Sequence, residues 1–122
     1  MEVVAVVNTT RDTVLGDRIC VAETSWSRIV GLLGKSGLEP GAGILIIPSQ
    51  AIHTVAMRFT IDVVFVDRNW RVVHLRPWMA PYRVTGLHWK ANFVLELPAG
   101  VIAQTSTAVG DQLALGEEGN QP

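Results

Sequence analysis

His53, Arg58 and Asp62 stand inside an otherwise apolar segment, AIHTVAMRFTIDVVFVD, that runs from Ala51 to Asp67. Ionisable groups in such surroundings need partners, because an unpaired buried charge is expensive or neutralises itself. An imidazole near a carboxylate is the pairing that general acid–base chemistry uses. The same groups also act as hydrogen-bonded struts, and structural networks perturb them in the same way. On a strand, Asp62 shares its face with Val64 and Val66, while Ile61, Val63 and Phe65 fill the other. With both faces apolar, Asp62 is expected at a strand mouth with a partner, for which Arg58, Arg28 or a loop amide are the candidates. Glu96, inside Val94–Leu97, poses the same question. For both carboxylates the strut is the expected role.

Other chemistries find less support. His53 and Met57 are four apart and share a face on one strand, a pair suited to a soft metal, with His74, His88 and Met79 further off. No HxH, HxxxH or CxxC spacing accompanies them, so neither a tightly bound transition metal nor another cofactor is expected. Gly34–Lys35–Ser36 looks like the end of a phosphate-binding loop, but Ile29 stands where that motif needs its first glycine. A helix is expected to end there rather than begin, whereas phosphate-binding amides lie at helix starts. There is no G-x-S-x-G elbow, and nothing places a serine or threonine beside a base. The single cysteine, Cys20, lies in an apolar run and reads as an inert buried thiol.

The elements that must position these residues are mostly short strands. β-Branched runs predict strands at 2–7, 18–22, 44–47, 51–57, 60–67, 92–97 and 112–115, with 70–75 returning from a hairpin turn at 67–70. Thr24 or Ser25 caps a main helix over about 25–34. There Trp26, Ile29, Val30 and Leu33 form one apolar stripe, and Gly34 and Gly37 end it. Pro98 suits the start of a short helix near 98–105. Arg76 to Ala91 is the longest irregular stretch and carries Trp78, Tyr82 and Trp89. Loops of that length are usually functional or packed by their own side chains. The glycine–aspartate turn Gly110–Asp111 reads as architectural, and the tail 116–122 as frayed. The expectation is a single domain over 1–122, α+β in class. It would have a compact, mostly antiparallel, barrel-like bent sheet and one main helix.

Bulk properties narrow the partners. With 48% hydrophobic residues, 17% charged residues and a mean hydropathy of +0.30, much of this 122-residue chain must be buried or shared with a ligand or second subunit. A net charge of −1 and a pI near 6.3 argue against nucleic acid. Arg68, Arg71, Arg76, Arg83 and Lys90 fall in one stretch balanced only by Asp67, but alternation and loops scatter such charges, so a solvated surface is the expected reading. No apolar run approaches bilayer length, and the first residues lack a secretory pattern. A soluble, cytoplasmic monomer or weak homodimer without membrane contact is expected.

In order along the chain, SWSRIVGLLG, GILIIP, the block from His53 to Asp67, VLELPAG and VGDQL resemble the domain-of-unknown-function family numbered 192, over about 17–115. The resemblance implies a small single-domain α+β fold with a mostly antiparallel, barrel-like sheet and a packed helix, found in bacteria and archaea. It implies no established activity. Arg28, Gly31, His53, Thr54, Met57, Asp62, Glu96, Gly100, Gly110 and Asp111 match the family pattern. Where many members have Trp-Met this chain has Ala56–Met57, and where they often have Pro it has Thr60. Trp78 or Trp89 would then replace the missing aromatic.

Three functional classes follow. One is a module for an unknown small molecule or protein, with a pocket at the mouth of the sheet. His53, Thr54, Met57, Arg58, Asp62, Glu96 and Arg28 would form its polar network, and Trp78, Tyr82 and Trp89 its cover. The second is a hydrolase- or lyase-like enzyme using His53 with Asp62 or Glu96. In the third, these residues are purely structural. The missing nucleophile favours binding over catalysis.

Overall fold

The computed structural model describes residues 2–22, 38–51, 59–81 and 83–117. These residues build one seven-stranded sheet. Its strands are β1 (Val3–Asn8), β2 (Thr13–Ala22), β3 (Ala42–Ile46), β4 (Ile61–Val66), β5 (Val72–Met79), β6 (Phe93–Pro98) and β7 (Leu113–Glu117). A four-residue helix, α1 (Val101–Gln104), lies between β6 and β7. The spatial order is β5-β4-β6-β3-β2-β1-β7, antiparallel throughout except for the parallel pair β2–β3.

Alternation along the strands sorts the apolar residues onto two faces. Val4, Val6, Leu15, Ile19, Leu45, Val64, Val66, Val72, Leu95, Leu97 and Leu113 form one buried cluster with Val101 and Ile102 of α1. All seven strands contribute to it, so it is the inside of a curled half-barrel. Ile44, Ile46, Ile61, Val63, Phe65, Met79 and Val94 form a second cluster on the outer face of β3, β6, β4 and β5, joined by Ala22 and Ala91. β4 is therefore buried on both faces along its whole length.

The α+β expectation is corrected by this architecture. The described residues are nearly all sheet, with α1 their single short helix. A sheet that curls on itself supplies its own second layer and needs no large helix to bury its inner face. The main helix expected over 25–34 and the strand expected over 51–57 fall on residues 23–37 and 52–58, outside the described residues. Boundaries also move. β2 starts five residues earlier than expected, β5 runs on to Met79 through the stretch read as irregular, and α1 is shorter than 98–105. β7 runs on to Glu117, so Gly116 and Glu117 are paired with β1 rather than frayed.

The two sheet edges meet at one end. Arg71 bridges Gln112, the Val72 amide donates to the Asp111 carbonyl at 2.9 Å, and the Leu113 amide donates to the Trp70 carbonyl at 2.8 Å. A buried polar cluster locks this end. Oδ2 of Asp111 accepts from Asn8 Nδ2 at 2.9 Å, Arg11 Nε at 3.0 Å and the Ala108 amide at 2.9 Å. Asn8 also donates to Thr107 Oγ1 at 3.1 Å. The architectural reading of the glycine–aspartate turn thus acquires a mechanism: one carboxylate ties β1 to the turn that closes the barrel.

The hydrogen bond from Arg11, reinforced by those from Asn8 and Ala108, holds the Asp111 carboxyl down to about 2 against the opposing effect of burial. A carboxyl depressed on folding contributes stability that is complete above its ordinary value of 3.8 and is lost as pH falls toward 2. Urea melts between pH 5 and pH 2 should show this loss. Asp111→Ala, which strands three donors, should remove on the order of 3 kcal/mol at pH 7 and flatten that part of the profile.

Candidate functional site

Asp62 and Glu96 look alike in sequence and are placed very differently. Asp62 lies opposite Leu97 and Val63 opposite Glu96 on the neighbouring strand. Successive residues alternate faces, so Asp62 points to the inner face and Glu96 to the outer one. The two carboxylates cannot act on one substrate as an acid–base pair.

Asp62 is fully buried and bound on both oxygens. β4 and β5 pair Ile61 with Met79 and Val63 with Arg76, which leaves one extra residue on β5, a β-bulge. Trp78, inside the bulge, takes a positive φ of 54°, and its amide turns out of the ladder to donate to Asp62 Oδ1 at 2.9 Å. The other oxygen, Oδ2, accepts from the Ile102 amide at 2.8 Å. Ile102 is in the first turn of α1, whose N-cap is Gly100 at φ 98°, a residue with no side chain to cap with. Asp62 caps the helix from another element and satisfies an amide that would otherwise be orphaned. Its partners among the described residues are backbone amides, one from a strand bulge and one from a helix, while the expected Arg28 and Arg58 lie outside those residues.

Glu96 is flanked by Ile44 on β3 and Val63 on β4, and beyond Val63 by Arg76 on β5. It is fully buried, and neither carboxylate oxygen has a hydrogen-bond partner among the described residues. Burial raises its carboxyl from 4.5 to about 7. On the same face, His74 lies opposite Phe65. His88, from the segment joining β5 to β6, stacks on His74 with ring centroids 4.0 Å apart and sits 4.5 Å from the Phe65 ring. Burial, then the charge of His88, then that of Arg76, lower the pKa of His74. In the sequence these two histidines stand only as distant metal helpers. A second bulge in β5, at Val73, puts both Val73 and His74 on the outer side, so simple alternation does not announce that His74 faces Phe65.

Of the remaining candidates, Trp78 and Trp89 lie among the described residues. Trp78 and Trp89 are 63% and 72% exposed, so neither has the burial of a pocket cover. The Trp78 ring passes close to Gly100, where an added Cβ would lie 3.6 Å from it. Arg28, His53, Thr54, Met57, Arg58 and Tyr82 lie outside the described residues. The mouth of the half-barrel holds a cleft of about 580 Å³ between Asp17, Leu38, Pro40, Pro98, Gln104 and Thr105, which contains neither Asp62 nor Glu96. No group of three or more metal-ligating side chains occurs among the described residues.

The family model DUF192, described as Uncharacterized ACR, matches residues 6–115. The chain belongs to the DUF192 family. The match begins before the point near residue 17 where the sequence motifs become recognisable, and takes in the end of β1 from Val6 and the start of β2. The chain is similar to UPF0127 proteins of archaea. It is 31% identical over 118 residues to one of Thermococcus sibiricus, covering 88% of this chain and 71% of that protein. It is 26% identical over 113 residues to one of Pyrococcus horikoshii, covering 88% and 96%. Two crystal structures share the fold. One is a protein of unknown function from Novosphingobium aromaticivorans, with a TM-score of 0.74, 22% identity and coverage of 92% of this chain and 83% of that one. The other is a Sinorhizobium meliloti protein with a TM-score of 0.73, 19% identity and coverage of 92% and 91%. DUF192 is a family of unknown function, and no helix among the described residues is long and apolar enough to cross a membrane.

Two substitutions separate the carboxylates of this DUF192 chain. Asp62→Ala strands two buried amides, each worth about 1–3 kcal/mol, so urea denaturation should show a loss of about 3–5 kcal/mol. That is a large share of the roughly 5–15 kcal/mol such a domain commands. Asp62→Asn, which keeps one acceptor, should lose less. An Asp62→Ala protein as stable as the parent would remove the strut.

Glu96 should behave in the opposite sense. Its folded-state pKa is raised, so its contribution is fully present below 4.5 and lost as pH rises through about 7. Moving a carboxyl that far corresponds to about 3 kcal/mol at pH 8. Glu96→Gln should therefore be more stable than the parent at pH 8 by up to that amount, with the gap closing near pH 4.5. A gap that does not change with pH would show that ionisation of Glu96 carries no such cost.

Proposed function

We propose that this chain is a binding module whose outer sheet face uses Glu96 to receive a positively charged or hydrogen-bond-donating group of a small molecule or protein. The observation that carries this reading is the carboxylate itself, fully buried with both oxygens unpartnered among the described residues. Buried polar atoms are nearly always satisfied, and an exception calls for a reason such as a functional partner. Proteins keep such groups against their own stability where function needs them. A ligand bringing an ammonium, guanidinium or amide N–H to Glu96 would convert that liability into a charge-assisted hydrogen bond.

The enzyme reading draws on one feature, a carboxyl raised to about 7, the range of a general acid or base near neutrality. Acid–base work needs a second group within hydrogen-bond reach. Two described imidazoles lie on this face, His74 on β5 and His88 stacked on it. His74 is separated from β6 by the whole of β4, about 10 Å or more from Glu96 at roughly 4.8 Å per strand, and no hydrogen bond joins His88 to Glu96, which supports binding.

Native mass spectrometry tests this on protein purified gently from its own host. The parent should retain a small molecule or partner that Glu96→Gln releases while remaining folded. A parent that carries nothing, or a variant that retains the same species, would remove Glu96 from the binding site.

A further inference from the structure

The segment from Ala80 to Asn92 crosses from β5 to β6 and raises a ridge of three side chains, Leu87, Trp89 and Lys90. Leu87 is 70% exposed and Trp89 72%. This exposure is built in, because the ridge is pinned from beneath. The His88 amide donates to the Gln50 carbonyl at 2.9 Å, Gln50 Nε2 donates to the Trp89 carbonyl at 2.9 Å, and the Ala91 amide donates to the His88 carbonyl at 2.9 Å. The His88 ring is turned inward onto His74 and Phe65. Holding the backbone this tightly leaves Leu87 and Trp89 with no route into the core.

The ridge stands between clefts. One of about 350 Å³ runs along its Leu87 side, against Pro48, Gln50 and Ala51. Another of about 470 Å³ runs along its Trp89 side, against Arg68, Asn69 and Val73. On its Trp89 side the cleft wall is net positive, with Arg68 and Lys90 against Asp67. From Arg68 to Leu95 the chain has no aspartate or glutamate, while Arg68, Arg71, Arg76, Arg83 and Lys90 fall in that span. Asp67, at the cleft wall, has a carboxylate oxygen already engaged by the Asn69 and Arg71 amides. Lys90 Nζ lies 5.4 Å from the centre of the Trp89 ring, so charge and apolar surface meet at the same point.

We propose that the Leu87–Lys90 ridge is a docking surface for an acidic segment of a partner protein. Its apolar side chains would enter the clefts beside Leu87 and Trp89, and its carboxylates would face Arg68 and Lys90. A rigid tryptophan flanked by pockets is the usual form of an interface anchor. A positive rim selects an acidic partner and speeds its encounter. The clefts favour a protein over a bilayer, since knobs fill clefts and a lipid surface does not. The ridge shares no residue with the Glu96 reading and stands without it.

The test is selection of a displayed library of random 16-residue peptides on the parent protein, followed by titration of the enriched peptides against Trp89→Ala and Lys90→Glu. Both side chains are at the surface, so circular dichroism melts should match the parent. Enriched peptides should carry aspartate or glutamate around apolar anchors, bind Trp89→Ala about tenfold or more weakly, and lose affinity as salt is raised. Enrichment of neutral or basic peptides, equal binding to the variants, or no enrichment would overturn the proposal. Co-sedimentation with phosphatidylglycerol vesicles that Trp89→Ala abolishes would overturn it in favour of a bilayer.

Discussion

The Asp62 carboxylate joins two places that the backbone ladder leaves incomplete. A bulge in β5 removes the Trp78 amide from pairing with β4, and α1 begins on a glycine that cannot cap it. One side chain completes both, from a position buried on every side. A hydrogen-bonded network in low dielectric is worth most when it is fully satisfied and costs most when broken from one side. Both the bend of the β5 edge and the seating of Val101 and Ile102 against the inner core depend on this carboxylate. The same logic recurs at the closing end of the barrel, where Asp111 gathers Asn8, Arg11 and Ala108. In both places a short acidic side chain gathers donors that the strand ladder does not pair.

Glu96 breaks that rule, and the contrast gives it meaning. It is as deeply buried as Asp62, on a strand as apolar, in a fold that elsewhere finds a donor for each buried carboxylate. Replacing it by an apolar residue of similar volume would remove a desolvation cost with no hydrogen bond lost among the described residues. A fold selected for stability alone would not keep it.

Much of this was legible from residue types. The alternation in Ile61–Val66 correctly divided β4 between Asp62, Val64 and Val66 on one side and Ile61, Val63 and Phe65 on the other, because a two-residue period has no other solution. The hairpin after Asp67 and the closing turn at Gly110–Asp111 were readable from turn chemistry. Fold class was not, because helix periodicity is a local signal, while the curling of a sheet is a property of seven strands together. Nor could the sequence separate Asp62 from Glu96. That difference depends on which amides a bulge and a short helix leave free on one face, and on the lack of any such amide for Glu96 among the described residues. The tryptophans misled for a related reason. Their size suggested burial, but Trp78 is carried outward by the bulge and Trp89 by a pinned backbone.

The two faces of one sheet have thus taken different work. Inside the curl and at its closing end, the buried aspartates and Asn8 are satisfied, and their removal can only destabilise. Outside, the polar groups are poised away from their ordinary charge states. Glu96 is pushed toward neutrality by burial, and His74 is held toward its neutral form by burial and by the cations around it. The His74 ring stacks on that of His88 with centroids 4.0 Å apart. That stack supports the ridge whose Leu87 and Trp89 face solvent. Among the described residues, the satisfied buried carboxylates are therefore on the inner face and at the closing end. The outer face carries its own apolar core and holds Glu96 within it at a cost to stability.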